Sequence, residues 1–295
     1  MSSSTSDAAA PGASTPSVLA GILQSTRAEL ERRKQTVSVE ELERRLDEAV
    51  GASGEDAAPR GLREALTQPG IAVIAEFKRR SPSAGVLRED AEPQALVPAY
   101  ERGGAAALSV LTEEANFGGS LADLSLARGL CRLPVLRKDF VLDRYQLLEA
   151  RLAGADAVLL IVAALGDVEL AALHGDAREL GLDVLVEAHD REEVQRALAI
   201  GAELVGVNNR DLRDFSVDIG RTKLLRGFIP NDVAVVSESG IASVKQLEEL
   251  QCDGVDAVLV GEALMRADDP EGALRELRGG PGARESETPG TPDGR

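Results

Sequence analysis

Eight short runs rich in β-branched and aliphatic residues recur along the chain, and no other feature restricts the fold as much. They are IAVIAEFK (71–78), AALSVLTE (106–113), PVLRKDF (134–140), AVLLIVA (157–163), DVLVEAH (183–189), LVGVNNR (204–210), AVVSESG (234–240) and AVLVGEA (257–263). Their starts lie 21 to 35 residues apart. Amphipathic helical patterns fill the intervals, among them Arg144–Leu152, Val168–Leu180 and Val244–Leu250. A strand that returns parallel to its neighbour needs a crossover of about a dozen residues or more, usually a helix. Many of these helical stretches stop at glycine, as at Gly104, Gly154, Gly181, Gly201 and Gly254. Glycine takes the left-handed conformation past a helix end without steric cost.

Eight strand–helix units over about 210 residues are enough to close a barrel. The expected fold class is therefore α/β, a (β/α)8 TIM barrel. The alternative is an open doubly wound sheet. No G-x-G-x-x-G follows the first run and no Walker A sequence occurs, so the nucleotide-binding forms of that alternative lose support.

Ahead of the barrel the pattern is helical. Thr15-Pro16 offers an N-cap with proline at the first helical position, and Leu19, Ile22, Leu23 and Leu30 fall on one face. Ser38 to Glu41 forms a capping box for a second helix reaching about Ala49. Residues 51–61 read as a linker. The expected organisation is a disordered tail over 1–15, an N-terminal helical extension over 16–67, the barrel over 68–279 and a disordered tail over 280–295. A single barrel with no second pathway enzyme fused to it is expected.

Composition narrows the function. A net charge of −17 repels nucleic acid and anionic lipid, so neither is expected as a partner. A small anionic substrate stays possible if a local cationic pocket receives it, because distant charges are screened beyond about 8 Å at physiological salt. The longest uncharged apolar run, Ala157 to Gly166, is far short of the roughly 20 residues that span a bilayer. No secretory signal or organellar transit peptide is read at the start. Cys131 and Cys252 suit a reducing cytoplasm and are read as packing residues. With His174 and His189 they are too few and too scattered for a structural zinc site; no metal is expected.

In a barrel of this kind chemistry occurs where strands end. Glu76 and Lys78 close the first run on one face, and Lys138, Glu187, Asn208, Arg210 and Glu238 close others. One charge at a strand end can simply meet solvent; seven polar and charged groups on several strands point to a site. The chain holds only five lysines against 28 arginines, yet two of the five sit at these ends. Lysine can shift its pKa and release a proton, which arginine cannot. Ser239-Gly240 and Gly261, after adjacent runs, lie where barrels bind phosphate through backbone N–H groups. His189 is read as a loop residue, although it lies two positions past Glu187, and His174 as structural.

IAEFKRRSPSAG (74–85), FGGS (117–120), LRKDF (136–140), LVEAHD (185–190), GVNNRDL (206–212), SESGI (237–241) and LVGEALM (259–265) together strongly resemble indole-3-glycerol phosphate synthases. The likeness runs from about residue 18 to 277. Ala84, Asn116 and Glu262-Ala263 depart from common family residues. The resemblance implies ring closure of a carboxyphenylamino-deoxyribulose phosphate, with loss of carbon dioxide and water and no cofactor. It implies Lys138 as general acid, Glu187 as general base, and Lys78 as partner of a substrate anion or second proton donor. Glu76 and Glu238 would orient the lysines. Asn208, Arg210 and Ser81 would hold the substrate, and Phe117, Phe140, Leu111, Leu159 and Ile161 would form the apolar slot for its ring. Ser239, Gly240, Gly261 and Glu262 would take the phosphate, with Glu262 contributing through its backbone. A monomer or weak homo-oligomer in the cytoplasm is expected. The alternatives are another phosphate-binding barrel enzyme, such as a phosphoribosylanthranilate isomerase or Schiff-base aldolase, and a non-catalytic barrel scaffold.

Overall fold

Strand alternation settles how this chain folds. In the computed structural model, residues 18–53, 58–211 and 215–280 are described. The helix start at Thr15-Pro16, the tail over 1–15 and the C-terminal tail beyond Gly280 lie outside the described residues. So do 54–57 of the linker.

Three helices come first: α1 (Val18–Thr36), α2 (Val39–Ser53) and the short α3 (Leu62–Leu66). Then follow β1 (Ala72–Phe77), a hairpin β2 (Arg80–Ser81) and β3 (Gly85–Val86), α4 (Pro93–Gly103), β4 (Ala107–Leu111), α5 (Glu114–Phe117), α6 (Leu121–Leu130) and β5 (Val135–Lys138). The remaining units are α7 (Arg144–Leu152), β6 (Ala157–Ile161), α8 (Asp167–Glu179), β7 (Asp183–Ala188), α9 (Arg191–Ala199), β8 (Leu204–Asn208), α10 (Gly220–Arg226), β9 (Ala234–Glu238), α11 (Val244–Cys252), β10 (Ala257–Val260), α12 (Glu262–Arg266) and α13 (Pro270–Leu277). Eight strands pair in parallel and close in the order β1-β10-β9-β8-β7-β6-β5-β4. All eight expected runs are strands of this barrel. The β2–β3 hairpin and α3 were not anticipated.

Each strand splits its residues by parity. Val73, Ala75, Val110, Val135, Val158, Val186, Val205, Val235 and Val258 point outward into the layer beneath the helices. Ile74, Ala107, Leu136, Ala157, Leu185, Leu204, Ala234, Val236 and Ala257 point inward. Register locks the pattern, with Ile74 opposite Ala107, Leu136 opposite Ala157 and Val236 opposite Ala257. A slip of one residue would exchange the two faces. Side chains at Ser120, Asp143, Asp190, Ser243 and Asp269 accept backbone N–H groups and start the helices that follow.

The extension touches both ends of this frame. Leu62 and Leu66 of α3 are wholly buried against the inward residues where the strands begin, closing the barrel floor. The backbone N–H groups of Arg60 and Arg63 donate to Asp156 and Asp183 at 2.7 and 2.9 Å, which fixes α3 in place. Leu30 of α1 and Leu42 of α2 pack with Tyr145 and Leu148 of α7 in a separate small core. Ile22 and Leu23, higher on α1, join the inward cluster at the opposite end. His174 is buried within α8, as read, whereas Cys252 is exposed and only Cys131 packs inside.

Leu66→Ala should lower unfolding free energy by about 2–5 kcal/mol, the usual cost of emptying a closed apolar site. Val168, 84% exposed on α8, serves as the reference, and Val168→Ala should change stability by less than about 0.5 kcal/mol. Equal urea midpoints for the two variants would show that α3 does not plug the floor.

Candidate active site

Continuing the inward parity of each strand by one step exchanges aliphatic for ionisable side chains. Above Ile74 comes Glu76, above Leu136 comes Lys138, above Leu185 comes Glu187 and above Val236 comes Glu238. These groups line a cavity of about 440 Å³ at the carboxyl ends of the strands. The same cavity is lined by Lys78, Ser81, Asn208 and Arg210, by Leu111, Phe117, Phe140, Leu159 and Ile161, and by Ser239, Gly240, Gly261 and Glu262. Every residue singled out from the sequence as a site candidate thus meets in one space.

The charges are organised as pairs. The Lys138 ammonium lies 3.0 Å from Glu238 Oε2 and 3.6 Å from Glu187 Oε2. Lys78 contacts the Glu76 carboxylate directly. All three glutamates are almost fully buried. Burial works against the charged form of Lys138, but the fields of Glu238, Glu187 and Glu76 outweigh it and raise its pKa, so it remains an ammonium. Burial raises Glu76, and the charges of Lys78 and Lys138 reverse this, leaving its pKa below the ordinary carboxylate value. Glu238 goes the other way. Burial dominates, Lys138 opposes it, and repulsion from Glu187 and Glu76 adds to it, pushing Glu238 up to about 7.

Two glycines make room for these carboxylates. A Cβ on Gly206, one strand from Glu238, would overlap Glu238 Oε1. A Cβ on Gly261 would stand 2.5 Å from Glu76 Oε1 and 3.1 Å from its Cβ. Neither role could be read from the sequence, because both depend on which side chain the neighbouring strand presents.

The strand bearing Lys138 is braced from behind. Arg137 points outward, is fully buried, and pairs with Asp139 at 2.8 Å and with Glu149 of α7 at 3.5 Å. Asp139 accepts from Thr112 at the end of β4 at 2.6 Å, and Arg33 of α1 reaches Glu149 at 2.9 Å. An unpaired buried guanidinium would be very costly, so the network fixes the residues either side of Lys138.

At one end of the cavity Phe117 and Phe140 stack at a tilt, with ring centroids 6.3 Å apart. Leu111, Leu159 and Ile161 continue this wall, and Leu19 and Ile22 of α1 line it from the N-terminal extension. At the other end Ser239 and Gly240 follow β9 with positive φ of 69° and 84°. A serine rarely holds that conformation, and here its surroundings fix it. Ser239 Oγ donates to Asn208 Oδ1 at 2.9 Å, and its carbonyl accepts from the buried Asn209 at 3.1 Å. Successive backbone N–H groups in such a turn form an anion-binding concavity. Arg210 N donates to Asn208 Oδ1 at 3.0 Å, and Glu262 pairs with Arg266 at the rim at 3.2 Å. His189 is a loop residue, as read, in the bend after β7, and its Nε2 lies 3.3 Å from Glu187 Oε1.

The raised carboxyl of Glu238 makes stability pH-dependent with a defined sign. The folded state binds its proton more tightly than the unfolded chain, so this group weakens folding as pH rises from about 4.5 to about 7. Thermal midpoints across that window should fall less in Glu238→Gln than in the parent chain. Parallel curves would show that Glu238 ionises as it does in water.

Comparison with known proteins extends these observations. The family model for indole-3-glycerol phosphate synthase matches residues 19–277. An indole-3-glycerol phosphate synthase of Micrococcus luteus is 50% identical over 267 residues, covering 89% of this chain and 97% of its own. Indole-3-glycerol phosphate synthase 2 of Streptomyces coelicolor is 49% identical over 262 residues, covering 89% and 99%. Among solved structures, a 3-hexulose-6-phosphate synthase from Salmonella typhimurium superposes with a TM-score of 0.57 at 16% identity, covering 70% of this chain and 96% of its own, a likeness of fold. With a family model spanning the extension and the barrel, and relatives near half identity over almost their full length, the chain belongs to the indole-3-glycerol phosphate synthase family.

Proposed function

We propose that this cavity closes the indole ring of 1-(2-carboxyphenylamino)-1-deoxyribulose 5-phosphate, the activity of the family. The observation that carries the assignment of roles is the Lys138 ammonium, held charged between Glu238 and Glu187 in a cavity with an apolar wall at one end and an anion-binding turn at the other.

The anthranilate ring lies between Phe117 and Phe140 and against Leu111, Leu159 and Ile161. The phosphate is received by the backbone of Ser239, Gly240, Gly261 and Glu262. This stretches the sugar past Lys138. As the ring carbon attacks the ketose carbonyl, Lys138 donates its proton to the oxygen. The carboxylate then leaves as carbon dioxide, and its bonding electrons restore the ring. Loss of the hydroxyl as water follows. Lys78 donates to that oxygen, and Glu187 takes the proton from the carbon next to nitrogen. Glu76 and Glu238 hold the two lysines, while Asn208, Arg210 and Ser81 position the substrate. No step changes oxidation level. One proton is consumed per turnover, because a carboxylate departs as neutral carbon dioxide.

The raised pKa of Lys138 favours an acid over an imine-forming amine, which must be neutral to attack a carbonyl. All of these groups come from one chain, which suits a monomer or weak homo-oligomer. Among the described residues no helix is long and apolar enough to cross a membrane. A cytoplasmic setting agrees with the unpaired Cys131 and Cys252.

The chain contains no tryptophan, so indole formed from the substrate fluoresces against a dark protein background. Lys138→Met should lower turnover by about 10²-fold or more, the scale of a lost general acid, while substrate binding stays measurable. Full turnover in that variant would refute the acid assignment. Covalent trapping of substrate at Lys138 by borohydride would favour an aldolase.

A further inference from the structure

Asn209 stands in the chain between Asn208 and Arg210, two residues that hold the substrate in the scheme above, yet it does not line the cavity and takes no part in that scheme. Its side chain lies with Ser237 of β9 and Thr222 of α10, and all three are wholly buried. Asn209 Nδ2 donates to Ser237 Oγ at 3.0 Å, and Thr222 Oγ1 donates to Asn209 Oδ1 at 2.8 Å. The two hydroxyls are 2.8 Å apart. A hydroxyl carries one proton. That of Thr222 is committed to Asn209, so Ser237 donates to Thr222, and the three side chains close a ring in which each donates and each accepts. Asn209 Oδ1 also takes the Thr222 backbone N–H at 3.2 Å, so turning the amide over would set donors against donors. With the amide fixed, the second proton of Nδ2 is aimed at the Ser239 carbonyl, 3.1 Å away.

We propose that Asn209 is a positioning residue for the substrate phosphate: the ring with Thr222 and Ser237 orients its amide to hold the Ser239 carbonyl outward, which points the Gly240 N–H into the cavity. The inference rests on the proposed seating of the phosphate on this turn. The peptide joining Ser239 to Gly240 is planar and trans, so its carbonyl and its N–H point in opposite directions. Drawing the carbonyl toward Asn209 sends the N–H the other way, and Gly240 lines the cavity. The turn needs holding because both residues have positive φ, 69° and 84°, a conformation that is unfavourable for serine. Val217 confines it from another side, where a Cβ on Gly240 would stand 2.5 Å from Val217 Cγ1. The Asp218 N–H donates to the Asn209 carbonyl at 2.9 Å and keeps that segment beside the ring. A donor fixed before the ligand arrives gives up little freedom on binding, and the phosphate is held more tightly for it.

A role confined to the phosphate separates positioning from general support of the fold. Two probes are titrated into the parent enzyme and its variants: the substrate with its ketone reduced to an alcohol, and the same compound without its phosphate. Asn209→Ala should weaken binding of the phosphorylated probe about tenfold, the scale of one lost buried hydrogen bond, and leave the other probe within about twofold. In indole formation its KM should rise by a similar factor with kcat within about twofold, the mark of binding shared by ground and transition states. Thr222→Val keeps the shape of the side chain and removes only the hydroxyl that orients the amide; it should shift the phosphorylated probe in the same direction, by about threefold or more. Thr222→Ser, which keeps the hydroxyl, should return to the parent affinity. Unchanged affinity for the phosphorylated probe in Asn209→Ala would show that the turn holds itself, and the proposal would be refuted. Equal weakening of both probes, or a fall in kcat with KM unchanged, would refute it too, leaving Asn209 as a structural support. A Thr222→Ser variant as weak as Thr222→Val would refute the part given to the ring. A parent enzyme that makes indole but binds both probes equally would overturn the seating of the phosphate, and absence of indole from the parent would overturn the proposed reaction.

Discussion

A single ammonium group, Lys138, sits almost out of reach of water inside the barrel, and the rest of the site is arranged to keep it charged. An isolated buried cation would give up its proton rather than bear the loss of hydration. Three buried glutamates prevent that, two of them within 3.6 Å. Their mutual repulsion in turn has to be absorbed, and it falls on Glu238, whose carboxyl titrates near neutrality. The cluster is held together by opposed charges and tuned by crowding. Such pairs contribute little net stability relative to an apolar core, and they are costly to break one partner at a time.

The barrel makes this cluster possible through parity and through absence. Parity delivers an inward residue from each strand at a similar height, so residues up to 162 positions apart, Glu76 and Glu238, share one space. Absence matters at Gly206 and Gly261, where the missing side chain is the room the neighbouring carboxylate occupies. Behind β5, the buried Arg137 and its acidic partners tie the strand to α7 and through Arg33 to α1. The N-terminal extension is therefore part of the site in two ways: Leu19 and Ile22 cover its apolar wall, and Arg33 braces the strand that carries Lys138.

What was legible in the sequence follows from what is local. Strand runs, helix stops and the ionisable residues at run ends depend on neighbours in the chain, and they led to all eight strands and to a set of candidates that line one cavity. Relations set by the closed barrel were not legible. His189 reads as a loop residue and is one, but only the fold shows that the bend after β7 sets its ring beside Glu187. The room that Gly206 leaves for Glu238 depends on what the neighbouring strand presents. The α3 plug is five residues long, too short for periodicity to register, and is defined by its fit to the barrel floor. Cys252 reads as apolar, yet it ends a helix on its solvent side.

Ring closure here requires Lys138 to face the oxygen that becomes a hydroxyl. A crystal structure with the substrate analogue whose ketone is reduced to an alcohol tests this directly. In that complex Lys138 Nζ should lie within about 3.2 Å of the alcohol oxygen, the reach of a proton transfer, with the phosphate on the Ser239–Gly240 turn. An alcohol turned toward another group, with Lys138 still engaged only by Glu187 and Glu238, would contradict it.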